Sequence, residues 1–201
     1  SPSLLDQLEF LKQAKFPIEF LFAENFETML EDIRMRIRSL STAYVITSRL
    51  DNDDIISSDY IDMVQKLYKP VPRMIINFHR GFEADVERRI LKKWNRRFRN
   101  QFLSMLEETK AVELITVYGF AHWKEVPGET ILNDETHPMW VYTRHGLNYS
   151  VQAINAIPMV TTSVLKDFPA LQASFKISKF NTLLYAVRWF PKTILRKIKN
   201  K

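Results

Sequence analysis

The amino-acid sequence predicts an α/β fold, a mostly parallel mixed sheet flanked by helices. Helical and strand patterns alternate from residue 5 onward, the strand candidates are short, apolar and β-branched, and an acidic cluster stands at the end of one of them. Alternation of this kind implies parallel strands joined through helices. Ligands of such sheets gather outside the carboxyl ends of the strands, where the acids should fall.

Leu4, Leu5, Leu8, Phe10 and Leu11 have helical spacing, Lys15-Phe16-Pro17 breaks it, and Ile18 to Phe22 reads as a short buried strand. Glu27 to Leu40 reads as a helix, with Met29, Leu30, Ile33, Ile37 and Leu40 near the 3.6-residue period, acids in the first turns and arginines towards the end. Ala43 to Thr47 is an apolar strand. Ser58, followed by Asp59 and Asp62, offers an N-cap for the next helix, and Arg73 to Phe78 is a strand after the Pro70-Val71-Pro72 turn. From Phe82 to Glu108 the pattern allows one helix, since Val86, Ile90, Trp94, Phe98 and Phe102 fall four apart, or several short strands. Val112 to Tyr118 and Met139 to Thr143 read as two more strands, separated by a polar loop holding Pro127, Gly128, Asn133 and Asp134.

The chain has 201 residues, 46% of them hydrophobic and 26% charged, which suits a folded domain rather than a disordered or fibrous chain. With no cysteine it has no disulfide framework, thiolate metal site or cysteine nucleophile. Neither a membrane span nor a charged-then-apolar leader is visible, so the expected location is the cytoplasm. The net charge of +6 calls for an anionic partner, and much of the excess lies in Arg88 to Arg99 and Lys192 to Lys201. The expected organisation is one domain over residues 1–182 and a basic amphipathic tail over 183–201.

Within Arg49-Leu50-Asp51-Asn52-Asp53-Asp54 three carboxylates stand in four residues. Crowded like charge at a strand end is costly unless a cation or fixed donors neutralise it. A hard divalent ion, Mg2+ or Mn2+, needs only one or two protein carboxylates when phosphate oxygens and water complete its shell. The same acids also suit an ordinary loop ahead of a helix.

The segment Thr47-Ser48-Arg49-Leu50-Asp51-Asn52-Asp53-Asp54, with Asp59-Tyr60-Ile61, resembles the core motif of the putative rhamnosyltransferase family. Further matches follow in order: Ile76-Asn77-Phe78-His79-Arg80-Gly81-Phe82, Gln101 to Glu107, Thr116-Val117-Tyr118 with His122, and Met139-Trp140-Val141-Tyr142 with His145-Gly146-Leu147-Asn148. The resemblance spans roughly Leu21 to Val151 and implies a glycosyltransferase A-like fold that moves a sugar, rhamnose by the family name, from a nucleoside-diphosphate sugar to a glycan or lipid-linked acceptor. It implies that Asp51, Asp53 and Arg49 serve the donor diphosphate and that Asp53, Asp54 and His145 serve Mn2+ or Mg2+. Two departures stand out. Leu147 occupies a position where the family has a second glycine, and the family's first βα unit is expected ahead of Ser1.

Sugar transfer also needs a group to take the acceptor proton, for which Asp134 and Glu135 are the candidates and Glu107 the alternative. His79, His122 and His137 are weaker ligand candidates than His145. His79-Arg80-Gly81 could offer a cation and backbone donors to phosphate, and Trp140 suits the core better than a sugar. Arg88 to Arg99 interleaves seven basic residues with apolar ones, as does the tail from Leu183, where Leu184, Val187, Trp189, Phe190, Ile194, Leu195 and Ile198 alternate with cations. Such segments suit a solvated face, or an anionic membrane surface with the protein peripheral at the inner face of the cell membrane. Nucleic acid is not the expected partner; the competing readings are a metal-dependent nuclease or nucleic-acid-binding protein, and a catalytically inert peripheral membrane module.

Overall fold

The computed structural model describes residues 17, 19, 21–95, 100–121, 129–133 (backbone course only), 137–146 and 156–188. The chain divides into two compact units, Ser1–Leu40 and Ser41–Lys201.

In the first unit, helix α1 (Phe26–Ser39) starts where Asn25 caps it, its side-chain oxygen accepting the Thr28 N–H at 2.8 Å. Glu27 in the first turn and Arg36 and Arg38 in the last complement the helix dipole, and Arg36 pairs with Glu19. Leu30 and Ile37 are the buried positions of the stripe. The strand expected over Ile18 to Phe22 is absent at its described residues, and Phe22 is exposed. The expected helix of Leu4 to Leu11 lies outside the described residues.

The second unit holds two four-stranded sheets among its described residues. Its elements are β1 (Tyr44–Ser48), β2 (Ile55–Ile56), α2 (Tyr60–Lys66), β3 (Arg73–Phe78), β4 (Arg80–Asp85), β5 (Ile90–Asn95), β6 (Leu103–Glu108), β7 (Glu129–Asn133), β8 (Trp140–Arg144), a 3-10 turn (Thr162–Leu165), α3 (Pro169–Ser174) and α4, residues 179–188. The first sheet runs β1-β6-β3-β7 and the second β2-β8-β4-β5.

The class is mixed α/β, but the expected dominance of parallel pairing does not hold: only β3 with β7 and β4 with β8 are parallel, while β1 with β6, β3 with β6, β2 with β8 and β4 with β5 are antiparallel. A parallel crossover takes a dozen or more residues, so β4 and β5, joined only by the turn 86–89, pair antiparallel, while β3 and β4, separated by His79 alone, stand in different sheets. At His79 the chain leaves one sheet for the other. The buried carbonyl of Phe78 accepts the Trp140 indole N–H at 2.6 Å and the Asn100 side-chain amide at 2.8 Å.

The ambiguous stretch from Phe82 to Glu108 resolves into strands. Spacing by four is a multiple of two, so it places residues on one face of a strand as well as of a helix. Val86 is exposed in the β4–β5 turn, which Asp85 closes by accepting the Arg88 N–H at 3.0 Å. The strand expected over Val112 to Tyr118 is instead an irregular segment. The Glu107 carboxylate accepts the N–H groups of Ile115 and Thr116 at 3.0 and 2.7 Å, and Thr116 takes a positive φ of 66°. Conversely, Asn133 ends strand β7 rather than sitting in a loop.

Helix α2 covers one face of the first sheet, packing Tyr60 and Val64 with Met74, Ile76, Phe78, Phe102, Leu106 and Trp140. The opposite face meets Val117 through Ile75, Leu103 and Met105. The second sheet is covered by the 3-10 turn and α3, where Leu165, Phe168, Leu171 and Phe175 meet Phe82, Ala84, Leu91 and Val141. On its other face three rungs cross β5, β4 and β8: Trp94, Gly81 and Trp140; Lys92, Glu83 and Tyr142; Ile90, Asp85 and Arg144. Gly81 is required there, because a Cβ would run into the Trp140 ring. Lys92 and Glu83 are both fully buried and bonded to each other.

Candidate functional site

The acid segment is the link from β1 to β2. The Asp54 N–H donates to the Asp51 carbonyl at 3.1 Å, closing a turn that brings three carboxylates beside the C-terminal end of β1. Arg49, held to the first sheet through its N–H on the Leu103 carbonyl, donates Nε to Asp51 at 3.1 Å and lies 5.9 Å from the centre of the Tyr118 ring. The arginine therefore orients Asp51.

Strand β8 delivers the rest. The Thr143 N–H donates to Asp54 Oδ1 at 2.9 Å, and His145, just past the strand, places Nε2 2.9 Å from Asp53 Oδ2. Asp54 is buried, and its burial pushes the carboxyl up to about 7, with Asp53 and Asp51 adding to the rise and the Thr143 N–H and Gln101 opposing it. Tyr142 is raised as well, first by burial and then by Asp54, Glu83 and Asp53.

Five of the sequence candidates, Arg49, Asp51, Asp53, Asp54 and His145, thus share one locality, although His145 is 92 positions from Asp53. Asp134 and Glu135 lie outside the described residues, as does His122. Glu107, the alternative base, is buried, and besides two backbone N–H groups it holds Arg73 Nε at 3.1 Å. His79 is buried at the switch between the sheets, and His137 bonds Asp59 at 3.1 Å. Trp140 is a core residue, stacked on Phe102 at 4.8 Å.

Sequence reasoning missed Tyr142 and Thr143. Thr143 contributes only a backbone N–H, for which no side-chain pattern exists, and Tyr142 is near the aspartates only because β2 and β8 pair with Ile55 opposite Val141.

Among the described residues no three His, Cys, Asp or Glu side chains enclose an ion by themselves. The donor chemistry of Asp53, Asp54 and His145 nevertheless suits a hard or borderline cation that takes further oxygens from phosphate and water.

No curated protein and no solved structure matches the chain. The family described as putative rhamnosyl transferase matches residues 3–157, which include the acid turn, both sheets and His145. By that match over most of its length, the chain belongs to the putative rhamnosyl transferase family.

Proposed function

We propose that the protein transfers a sugar, rhamnose by its family name, from a nucleoside-diphosphate sugar to a hydroxyl of a glycan or lipid-linked acceptor, with Mn2+ or Mg2+ at the acid turn of a glycosyltransferase A-like domain. The observation that carries this is the geometry of the acid turn: Asp54 is buried beside Asp53 and Asp51 and receives the Thr143 N–H at 2.9 Å and a Gln101 side-chain bond, and His145 stands 2.9 Å from Asp53, while burial raises the Asp54 carboxyl to about 7. Such a group is incompletely neutralised by the protein, and a divalent cation carrying a diphosphate completes it.

When bound, the ion supplies positive charge that stabilises the departing diphosphate. Asp53 and Asp54 are the carboxylates that would hold it, with His145 fixing Asp53 or joining the ligands. Arg49 keeps Asp51 turned towards the donor side. The Thr143 N–H locks the Asp54 rotamer, so that side chain loses little freedom on binding. Asp134 and Glu135 follow β7 directly in the chain and are assigned to taking the acceptor proton.

Incubating the protein with a set of nucleotide sugars and Mn2+, and measuring released nucleoside diphosphate, tests the reading. Asp53→Asn should reduce release by about a hundredfold or more, in the range set by loss of a charged transition-state contact. Wild-type turnover and Mn2+ affinity in that variant would refute it.

A further inference from the structure

Helix α4, residues 179–188, is turned inside out. Phe180, Leu183, Leu184 and Val187 recur at helical spacing, yet they are 70%, 63%, 42% and 61% exposed. The uncharged polar residues of the helix face inward instead. Thr182 is buried, Tyr185 donates its ring face to Lys92 Nζ at 5.0 Å and accepts the Ala156 N–H at 3.1 Å, and Asn181 Nδ2 donates to the Arg88 carbonyl at 2.8 Å. These contacts fix the rotation of the helix, so the apolar stripe cannot roll inward without breaking them.

Charge surrounds the stripe. At about 100° per residue, Lys179 and Arg188 project about 90° to either side of its centre. Ser178 N–H on the Arg89 carbonyl at 2.8 Å, together with the Asn181 contact, brings the β4–β5 turn against the start of the helix, so Arg88 and Arg89 join Lys176 and Lys179 there. The acids of that turn are Asp85, buried and bonded to Arg144 at 2.5 Å, and Glu87. Beyond Asp167 the sequence has no Asp or Glu at all, against eight cations: Lys176, Lys179, Arg188, Lys192, Arg196, Lys197, Lys199 and Lys201. The helix also lies beyond residues 3–157, the part matched by the family.

We propose that the exposed face of α4, with the adjoining β4–β5 turn, docks on an anionic lipid surface. An apolar stripe flanked by long cationic side chains fits a bilayer interface, with Phe180, Leu183, Leu184 and Val187 entering the headgroup boundary and the cations remaining at phosphate level. A second copy of the chain is a poorer occupant, since pairing two such faces brings like charges together. A span is not implied: among the described residues no helix is long and apolar enough to cross a membrane. Of the two basic stretches seen in the sequence, Lys92 takes no part, being buried on Glu83.

The test is co-sedimentation of the whole chain with vesicles of phosphatidylglycerol or phosphatidylcholine. Wild type should pellet with the anionic vesicles in preference to the neutral ones, and the preference should fade from about 0.1 M to about 1 M salt as the screening length drops from about 10 to about 3 Å. Leu183→Asp with Val187→Asp should lower partitioning about tenfold or more. Both sites are exposed, so its melting temperature should stay at the wild-type value, and Lys179→Gln with Arg188→Gln gives an independent loss confined to anionic vesicles. The proposal is overturned if wild type ignores anionic vesicles, if both variants bind like wild type, or if light scattering finds a dimer that the aspartate variant dissociates without any vesicle preference. None of these readouts depends on sugar transfer.

Discussion

A carboxyl raised to about 7 makes Asp54 a reporter of its own environment. Its folded value lies above the ordinary 3.8, so the folded state holds a proton that the unfolded chain gives up. Its contribution is full below about pH 4 and is lost as pH rises towards 7, which lowers stability by a few kcal/mol at most. Urea midpoints measured in chelator should therefore fall across that window, Asp54→Asn should flatten the fall, and Mn2+ should offset it by binding the ionised form. Glu107 gives the opposite kind of residue. Its oxygens are committed to two N–H groups and to Arg73, so Glu107→Gln should cost about 2–3 kcal/mol of stability while transfer per folded molecule persists. Loss of turnover at unchanged stability would keep Glu107 among the catalytic candidates.

The cross-strand rung is the unit that decides the second sheet. Lys92 and Glu83 form a buried pair, and truncating one member strands the other charge, so Lys92→Ala should cost about 3–5 kcal/mol. Lys92→Met with Glu83→Gln should recover most of that loss in chemical denaturation, whereas a double variant as unstable as the single would deny the pairing. One rung away, Gly81→Ala should cost about 1–3 kcal/mol or more, because the new methyl must displace a tryptophan stacked on Phe102. At this scale legibility varied with the locality of the cause. Arg73–Phe78 was readable to the residue because an apolar run followed two prolines, and α1 because cap, dipole and period agreed. The 112–118 segment was not, since its shape is imposed by a carboxylate from another strand, and β4 and β5 were hidden by a spacing common to both periodicities. The acid turn was legible as a charge anomaly and its approach to His145 only as a resemblance, because strand register is not written in either segment alone.

Across the second unit, contacts span very different sequence separations. Asp85 pairs with Ile90 across a tight turn, but Tyr44 pairs with Glu108, and Asp53 reaches His145 over 92 positions. Because His79 alone separates β3 from β4, the order in which the two sheets form is coupled through a single residue. Loop-closure entropy favours the short connection first. Pulse-labelled hydrogen exchange during refolding should accordingly protect β4 and β5 amides before those of β1, and simultaneous protection would deny a preferred order. The acid turn then belongs to the parts of the chain that settle late, held by closures of 89 and 92 positions. A donor diphosphate arriving at that turn would act on the refolding reaction as well as on the folded state: it would slow the parting of the acid turn from the end of β8 during unfolding, and leave the rate at which β4 and β5 pair unchanged.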